Sequence, residues 1–187
     1  AAEHNLCANI CLDLDLSVPF PGLHFGVHRS SIKSAREAVD FYRRIATYCH
    51  VKLCGLMGYE AQIAGLGDDI PGKFIQNLAV RHLKKKSIPV INERRTETIL
   101  ALIREGADLS IINGGGTGSV ESTLEEPLVN EITVGSGFFC SHLFDYYRNF
   151  SLKPAAGFVT TVARKPSASI VTCNGGGYVA SGSAEKI

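Results

Sequence analysis

The run Ile111-Ile112-Asn113-Gly114-Gly115-Gly116-Thr117-Gly118-Ser119 constrains this chain more than any other segment. It reads as an apolar strand that ends in three glycines, followed by hydroxyl residues at a helix start. Glycines let backbone N–H groups approach an anion closely, and a helix N-terminus adds a favourable dipole. A second glycine-broken strand end, Ile132-Thr133-Val134-Gly135-Ser136-Gly137, follows later in the chain. Adjacent strand tips in a parallel sheet stand about 4.8 Å apart, so both would reach one phosphate. The plainer alternative is a pair of tight turns in which the glycines serve backbone geometry alone.

The rest of the sequence supplies a frame for those tips. Residues 6–16 form a strand, apolar at first and then alternating, with Asp13 and Asp15 on one face and Leu14 and Leu16 on the other. A Pro/Gly loop over 17–31 leads to a helix from Ile32 to Tyr48. Val51–Met57 is the next strand, breaking into Gly58-Tyr59-Glu60. Residues 73–86 and 92–105 read as two helices separated by Pro89, with Asn92 capping the second and Gly106 ending it. Residues 107–113 and 129–134 are further strands, with a short helix over 119–126 stopped by Pro127. Strand and helix thus alternate, which predicts a parallel α/β layout with the site at the C-terminal strand ends. After Pro154 the pattern changes to two strands, 156–164 and 168–173, joined by a turn at Lys165-Pro166-Ser167. That predicts the start of an antiparallel β domain. The triplet Gly175 to Gly177 reads as a turn.

Composition excludes some functions. A formal net charge of +1 gives no support for a nucleic-acid partner, and Lys84-Lys85-Lys86 reads as a solvated helix end. No apolar run reaches the ~18 residues of a membrane span, and no signal peptide precedes the first strand. The chain starts at Ala1 and holds one methionine, Met57, so its start reads as a processed or excised end. The six cysteines have no metal-site spacing. Cys7 and Cys11 would lie roughly 13 Å apart along a strand, too far for a disulfide. They read as reduced, mostly buried cysteines of a cytoplasmic protein. No metal site is expected.

The ordered set of segments resembles the fold-type III pyridoxal-phosphate proteins, in their D-threonine aldolase, D-serine dehydratase and amino-acid deaminase/aldolase branch. The alanine racemase N-terminal domain is a more distant resemblance. The set comprises Asp13-Leu14-Asp15, Gly26-Val27-His28-Arg29-Ser30, Gly55-Leu56-Met57-Gly58-Tyr59-Glu60, the 113–119 run, Gly135-Ser136-Gly137-Phe138 and Cys173-Asn174-Gly175-Gly176-Gly177-Tyr178. The resemblance implies the second half of a (β/α)8 TIM barrel over 1–153, followed by the first strands of a C-terminal β domain over 154–187. It implies pyridoxal 5'-phosphate as cofactor and a small amino-acid substrate. The expected reaction is deamination, aldol cleavage or racemisation of a D-amino acid or hydroxy amino acid. None of this chain's lysines sits in the context of the family's cofactor-binding lysine, which lies at the end of the first barrel strand. The chain is therefore expected to be a fragment or split homologue, inactive when isolated and completed by self-association or by a complementary N-terminal chain. The alternatives are a non-catalytic pyridoxal-phosphate-binding protein and a structural half-barrel.

Residue by residue, the resemblance assigns phosphate to Gly114, Gly115, Gly116 and Thr117, with a second contact from Gly135, Ser136 and Gly137. It places Tyr59 beside the pyridine ring and Arg29 near the phenolic oxygen. These two are the candidate catalytic residues. Asp13 and Asp15 either orient Arg29 or close the strand. Glu60 and Gln62 are weaker neighbours of Tyr59, Ser119 serves as a helix cap, and Arg94 and Arg95 read as helix-surface residues.

Overall fold

In the computed structural model, which describes residue 4 and residues 6–176, four parallel strands form one sheet. They are β1 (Ala8–Asp13), β4 (Val51–Gly58), β5 (Ile111–Gly114) and β6 (Glu131–Ile132), in the spatial order β1-β4-β5-β6. This is the predicted order. Between β1 and β4, a short antiparallel hairpin of β2 (Val18–Phe20) and β3 (Leu23–Phe25) is followed by helix α1 (Ala35–Ile45). The hairpin lies in the segment expected to be loop; its turn uses Gly22 at φ +72°. Beyond β4 come α2 (Ala61–Ala64) and α3 (Phe74–Arg104), and beyond β5 a 3₁₀ turn leads into α4 (Val120–Leu124).

Local chemistry sets the helix ends. Ser34 caps α1: its Oγ accepts from the Glu37 N–H at 3.3 Å and donates to the Glu37 carboxylate at 2.9 Å. At the end of α3 the Gly106 N–H donates to Ile103 and the Ala107 N–H to Leu102. Gly106 sits at φ +94°, so a Schellman motif closes the helix where the sequence placed it.

The chief departure is α3, a single helix of 31 residues where two were expected. Pro89 lies inside it, removing one N–H donor. Contacts on both sides hold the helix through that gap. Ile91, Thr98, Ile99 and Leu102 bury one face of the C-terminal half in the main core. Asn77, Arg81 and Lys84 fix the N-terminal half by bonding the 66–70 loop. Lys84 is accordingly a buried mid-helix residue rather than a solvated helix end.

The sheet buries one face against α1 and α3 through Leu12, Leu14, Leu56 and Ile112, with Ala38 and Val39 opposite. On the other face a Cβ added to Gly55 would stand 3.0 Å from Cys11 Sγ and 3.3 Å from Ile111 Cβ, so these three positions form one row. Cys11 and Ile111 are exposed there. So are Cys7, Cys49 and Cys173, while Cys140 is buried; the expectation of mostly buried cysteines was wrong, for Cys11 because it lies on the sheet face away from α1 and α3. β6 is also shorter than expected. The Asn130 Oδ1 takes the Ile112 N–H at 2.8 Å in place of a longer ladder.

The final strands, β7 (Thr161–Ser167) and β8 (Ile170–Asn174), pair antiparallel, as expected, in a sheet of their own. Their turn is at 168–169, not at Lys165-Pro166-Ser167. Pro166 lies within β7, which is exposed and among the described residues pairs only with β8, so its missing N–H breaks no described ladder bond on the outer edge. Gly177, Tyr178 and the remaining tail lie outside the described residues, as do residues 1–3 and 5. No described helix is long and apolar enough to cross a membrane.

Candidate functional site

A cleft of about 330 Å³ opens at the C-terminal ends of β4, β5 and β6. It is lined by Arg29, Tyr59, Gly115, Gly116, Thr117, Gly135 and Ser136, together with Met57, Asn113, Thr133 and Phe144. Seven of the nine expected site residues therefore converge. Gly114 and Gly137 are not among the lining residues. Gly114 ends β5 with its α-hydrogen side toward Arg95 and Thr123 of the helical layer, each 3.1 Å from an added Cβ. Gly137 packs against Val134 and Thr117.

Backbone geometry explains the glycines that do line the cleft. Gly115 sits at φ +85° and Gly135 at φ +42°, conformations that L side chains avoid. A Cβ on Gly116 would stand 2.8 Å from the Tyr59 ring. Two 3₁₀ turns begin at the cleft, Thr117–Ser119 and Gly135–Phe138, and the first N–H groups of such turns lack partners within the turn. The Thr117 hydroxyl is already committed: it donates to the Val134 carbonyl, which clasps the two strand tips together. Thr117 thus shapes the cleft, and its side-chain proton is spent on Val134.

Arg29 reaches the cleft from the loop after β3. Its Nε bonds Asp13 at 2.9 Å, and its Nη2 lies 3.9 Å from the Met57 sulfur. Its backbone N–H donates to Asp15 Oδ2 at 3.1 Å. Both aspartates therefore hold Arg29, one by the side chain and one by the main chain. Burial pushes the Asp15 carboxyl up, but bonds from Ser17, Arg29 and Ser30 prevail and hold it below the usual range. The Arg29 guanidinium lies 5.5 Å from the Tyr59 ring centroid, a cation–π contact. Half-burial, and then the Glu60 carboxylate, raise the Tyr59 phenol; Arg29 opposes them. Tyr59 is therefore a neutral phenol near neutral pH. At the floor, the Asn113 carboxamide donates to Glu131 and to Thr133, both at 2.8 Å.

The sequence reading misplaced what stands behind this cleft. Arg95, expected on a helix surface, is fully buried. Its Nη2 donates to Glu60 at 2.7 Å and to the Gly58 carbonyl at 3.1 Å, and its Nη1 to Glu126. Glu60 in turn accepts from Ser119 at 2.9 Å and from Thr123 at 2.5 Å. Arg94 donates to the Asp15 and Ser17 carbonyls, and Gln62 to the Leu16 carbonyl. One signal was present in the sequence: Gly58 and Gly114 end their strands, and they pair in register. Added Cβ atoms there would stand 3.5 Å from Arg95 Nε and 3.1 Å from Nη2, so the two glycines make room for the guanidinium.

A larger open groove of about 810 Å³ runs along α3 beside α4 and residues 147–150. It lies on the helical side, away from the strand tips where parallel α/β proteins place their sites. The smaller cleft is therefore the candidate. Its fit to pyridoxal phosphate is good in part: glycine amides suit the phosphate, an aspartate-held arginine suits an anionic oxygen, and Tyr59 suits a ring. No lysine lines it. Among the described residues no group of three or more His, Cys, Asp or Glu is arranged to hold a metal ion.

This sheet, with its helices on one face and its cleft at the strand ends, defines a β/α-barrel-like class of fold. No family model matches the chain, and no curated protein sequence matches it. Among solved structures it is similar to D-threonine aldolase from Filomicrobium marinum, at 17% identity and a TM-score of 0.60, covering 89% of this chain and 40% of that one. It is also similar to D-threo-3-hydroxyaspartate dehydratase from Delftia sp. HT23, at 15% identity and a TM-score of 0.53, covering 77% of this chain and 33% of that one. At these identities the likeness is one of fold, shared with both structures. It spans well under half the length of either enzyme.

Proposed function

We propose that this chain is the phosphate- and ring-binding half of a pyridoxal-phosphate barrel, corresponding to the second half of the eight β/α units and the first strands of a following β domain. The observation that carries the reading is the convergence of Arg29, Tyr59, Gly115, Gly116, Thr117, Gly135 and Ser136 on one cleft. The Gly115 and Thr117 amides, with those of 135–136, would hold the phosphate, while the Gly116 N–H is spent on Ser119. Arg29, aimed by Asp13, would donate to the phenolic oxygen, and Tyr59 would lie along the ring. The bound cofactor would supply a protonated pyridine ring as electron sink. The completed protein would deaminate, cleave or racemise a D-amino acid or hydroxy amino acid. The lysine such chemistry uses would come from another chain or from further sequence of a longer protein.

That no lysine stands among the described residues lining the cleft favours a second reading, a binding protein without turnover. Titration by calorimetry tests the site itself. Pyridoxal phosphate and inorganic phosphate should bind competitively. Arg29→Ala should weaken pyridoxal phosphate while sparing inorganic phosphate, and Tyr59→Ala should weaken the cofactor less than Gly115→Val does. Binding without competition would sink the assignment of the cleft.

A further inference from the structure

Behind the cleft lies a layer of buried polar side chains that do not line it but bond the backbone that does. Ser119 Oγ accepts the Gly116 N–H at 3.0 Å and gives its proton to Glu60. The same Glu60 oxygen accepts from Thr123, and its other oxygen is held by Arg95. Ser119 is 2% exposed, Glu60 2% and Arg95 0%, so water does not compete. An unbroken chain of bonds therefore runs from α3 to the glycine loop. It also holds the tip of β4, because Glu60 follows Tyr59 directly and Arg95 bonds the Gly58 carbonyl. Gly115 and Gly116 have no side chains to pack, so the loop is held at its far end by the Thr117–Val134 clasp and at Gly116 by Ser119.

We propose that Arg95, Glu60 and Ser119 are positioning residues for phosphate recognition: by holding the Gly116 N–H they fix the 115–117 backbone so that the Gly115 and Thr117 amides meet one anion. The inference rests on the functional reading above and assigns these residues a role in selecting a phosphorylated ligand. A fixed loop discriminates a phosphate from its absence; a loose one does so less.

Ser119→Ala removes both bonds of its hydroxyl in the chain, that from the Gly116 N–H and that to Glu60, and leaves both ion pairs of Arg95 in place. The probes are pyridoxal 5'-phosphate and pyridoxal, which lacks only the phosphate, titrated into the full chain by calorimetry. The ratio of the two affinities should fall about tenfold in Ser119→Ala, about the worth of one buried hydrogen bond. Ser122→Ala, whose hydroxyl bonds only the Ser119 carbonyl, should leave the ratio unchanged. Glu60→Gln keeps an acceptor for Ser119 without the charge and should lower the ratio less, giving a second arm should Ser119→Ala fail to fold. A purely structural role would weaken both ligands together and leave the ratio intact, which would overturn the proposal. A wild-type chain that binds neither probe would instead remove the functional reading, and this inference with it.

Discussion

Replacing Arg95 with alanine should be the most damaging single change in the sheet–helix layer. The side chain is fully buried and bonded to Glu60 at 2.7 Å, to Glu126 and to the Gly58 carbonyl. Its removal leaves two buried carboxylates facing each other with no cation. Breaking a buried ion pair from one side costs about 3–5 kcal/mol, because the remaining charge is uncompensated. At about 2–4 °C per kcal/mol for a chain of this size, the thermal midpoint should fall by roughly 6–20 °C. The loss should depend on pH. Glu126 already has its carboxyl raised, first by burial and further by Glu60, with Arg95 opposing. Deleting Arg95 raises it more. A carboxyl whose folded pKa exceeds its unfolded value binds protons preferentially in the native state, so stability falls as pH rises through that window. The deficit of Arg95→Ala should therefore be greatest at pH 8 and shrink as pH drops toward 5. Urea unfolding of both proteins across that range measures it. A deficit under about 1 kcal/mol at pH 8, or one that does not narrow on acidification, would refute the account of a charged, buried cluster.

Gly114→Ala should cost about 1–3 kcal/mol in the same assay, since its Cβ would stand 3.1 Å from both Arg95 Nη2 and Thr123 Cγ2; a neutral result would mean that the guanidinium is free to move. Pro89→Ala should stabilise the chain, by up to about 3 kcal/mol, because it restores a missing helix N–H; destabilisation would show that the proline's shape is needed there. The exposed Cys11–Ile111 face and two free sheet edges should drive self-association or pairing with a second chain, and light scattering that finds a monodisperse, folded 20.1 kDa monomer would refute this.

What was legible in the sequence was periodic or punctuated. Apolar strand runs gave the parallel order, Gly106 gave the end of α3, and the glycine clusters gave the cleft. The failures have a common physical origin in tertiary context. Pro89 normally ends a helix, yet packing on both sides of it carries α3 through. Arg95 and Lys84 carry charges that belong on a surface by any local rule. They are buried because acceptors from distant segments meet them: Glu60 and Glu126 for one, the Leu66 carbonyl and Asp68 for the other. Thr117 looked like a phosphate ligand because hydroxyls follow glycines at such sites, but Val134 lies across from it and takes the proton. Each miss is a long-range partner that local sequence cannot name.

The two faces of the sheet divide the work of the candidate site. On the inner face, the row Asp13, Met57, Asn113 and Glu131 follows the small-apolar row Cys11, Gly55 and Ile111 toward the strand tips. Its polar groups are tied to one another or to tip residues: Asp13 to Arg29, and Asn113 to Glu131 and Thr133. This face sets which charges a ligand meets. On the outer face, Gly58 and Gly114 admit the Arg95 guanidinium, whose partners reach the loop amides through Ser119. That face sets where the amides stand. The Arg29–Asp13 pair is about one-third exposed, so its loss should cost less than about 1 kcal/mol of stability. Inner-face changes should therefore alter ligand selection in a chain that still folds. Outer-face changes at Arg95 should alter stability first and affinity through it. The separation makes the site testable residue by residue, because stability and ligand affinity measured together tell which face a substitution has reached.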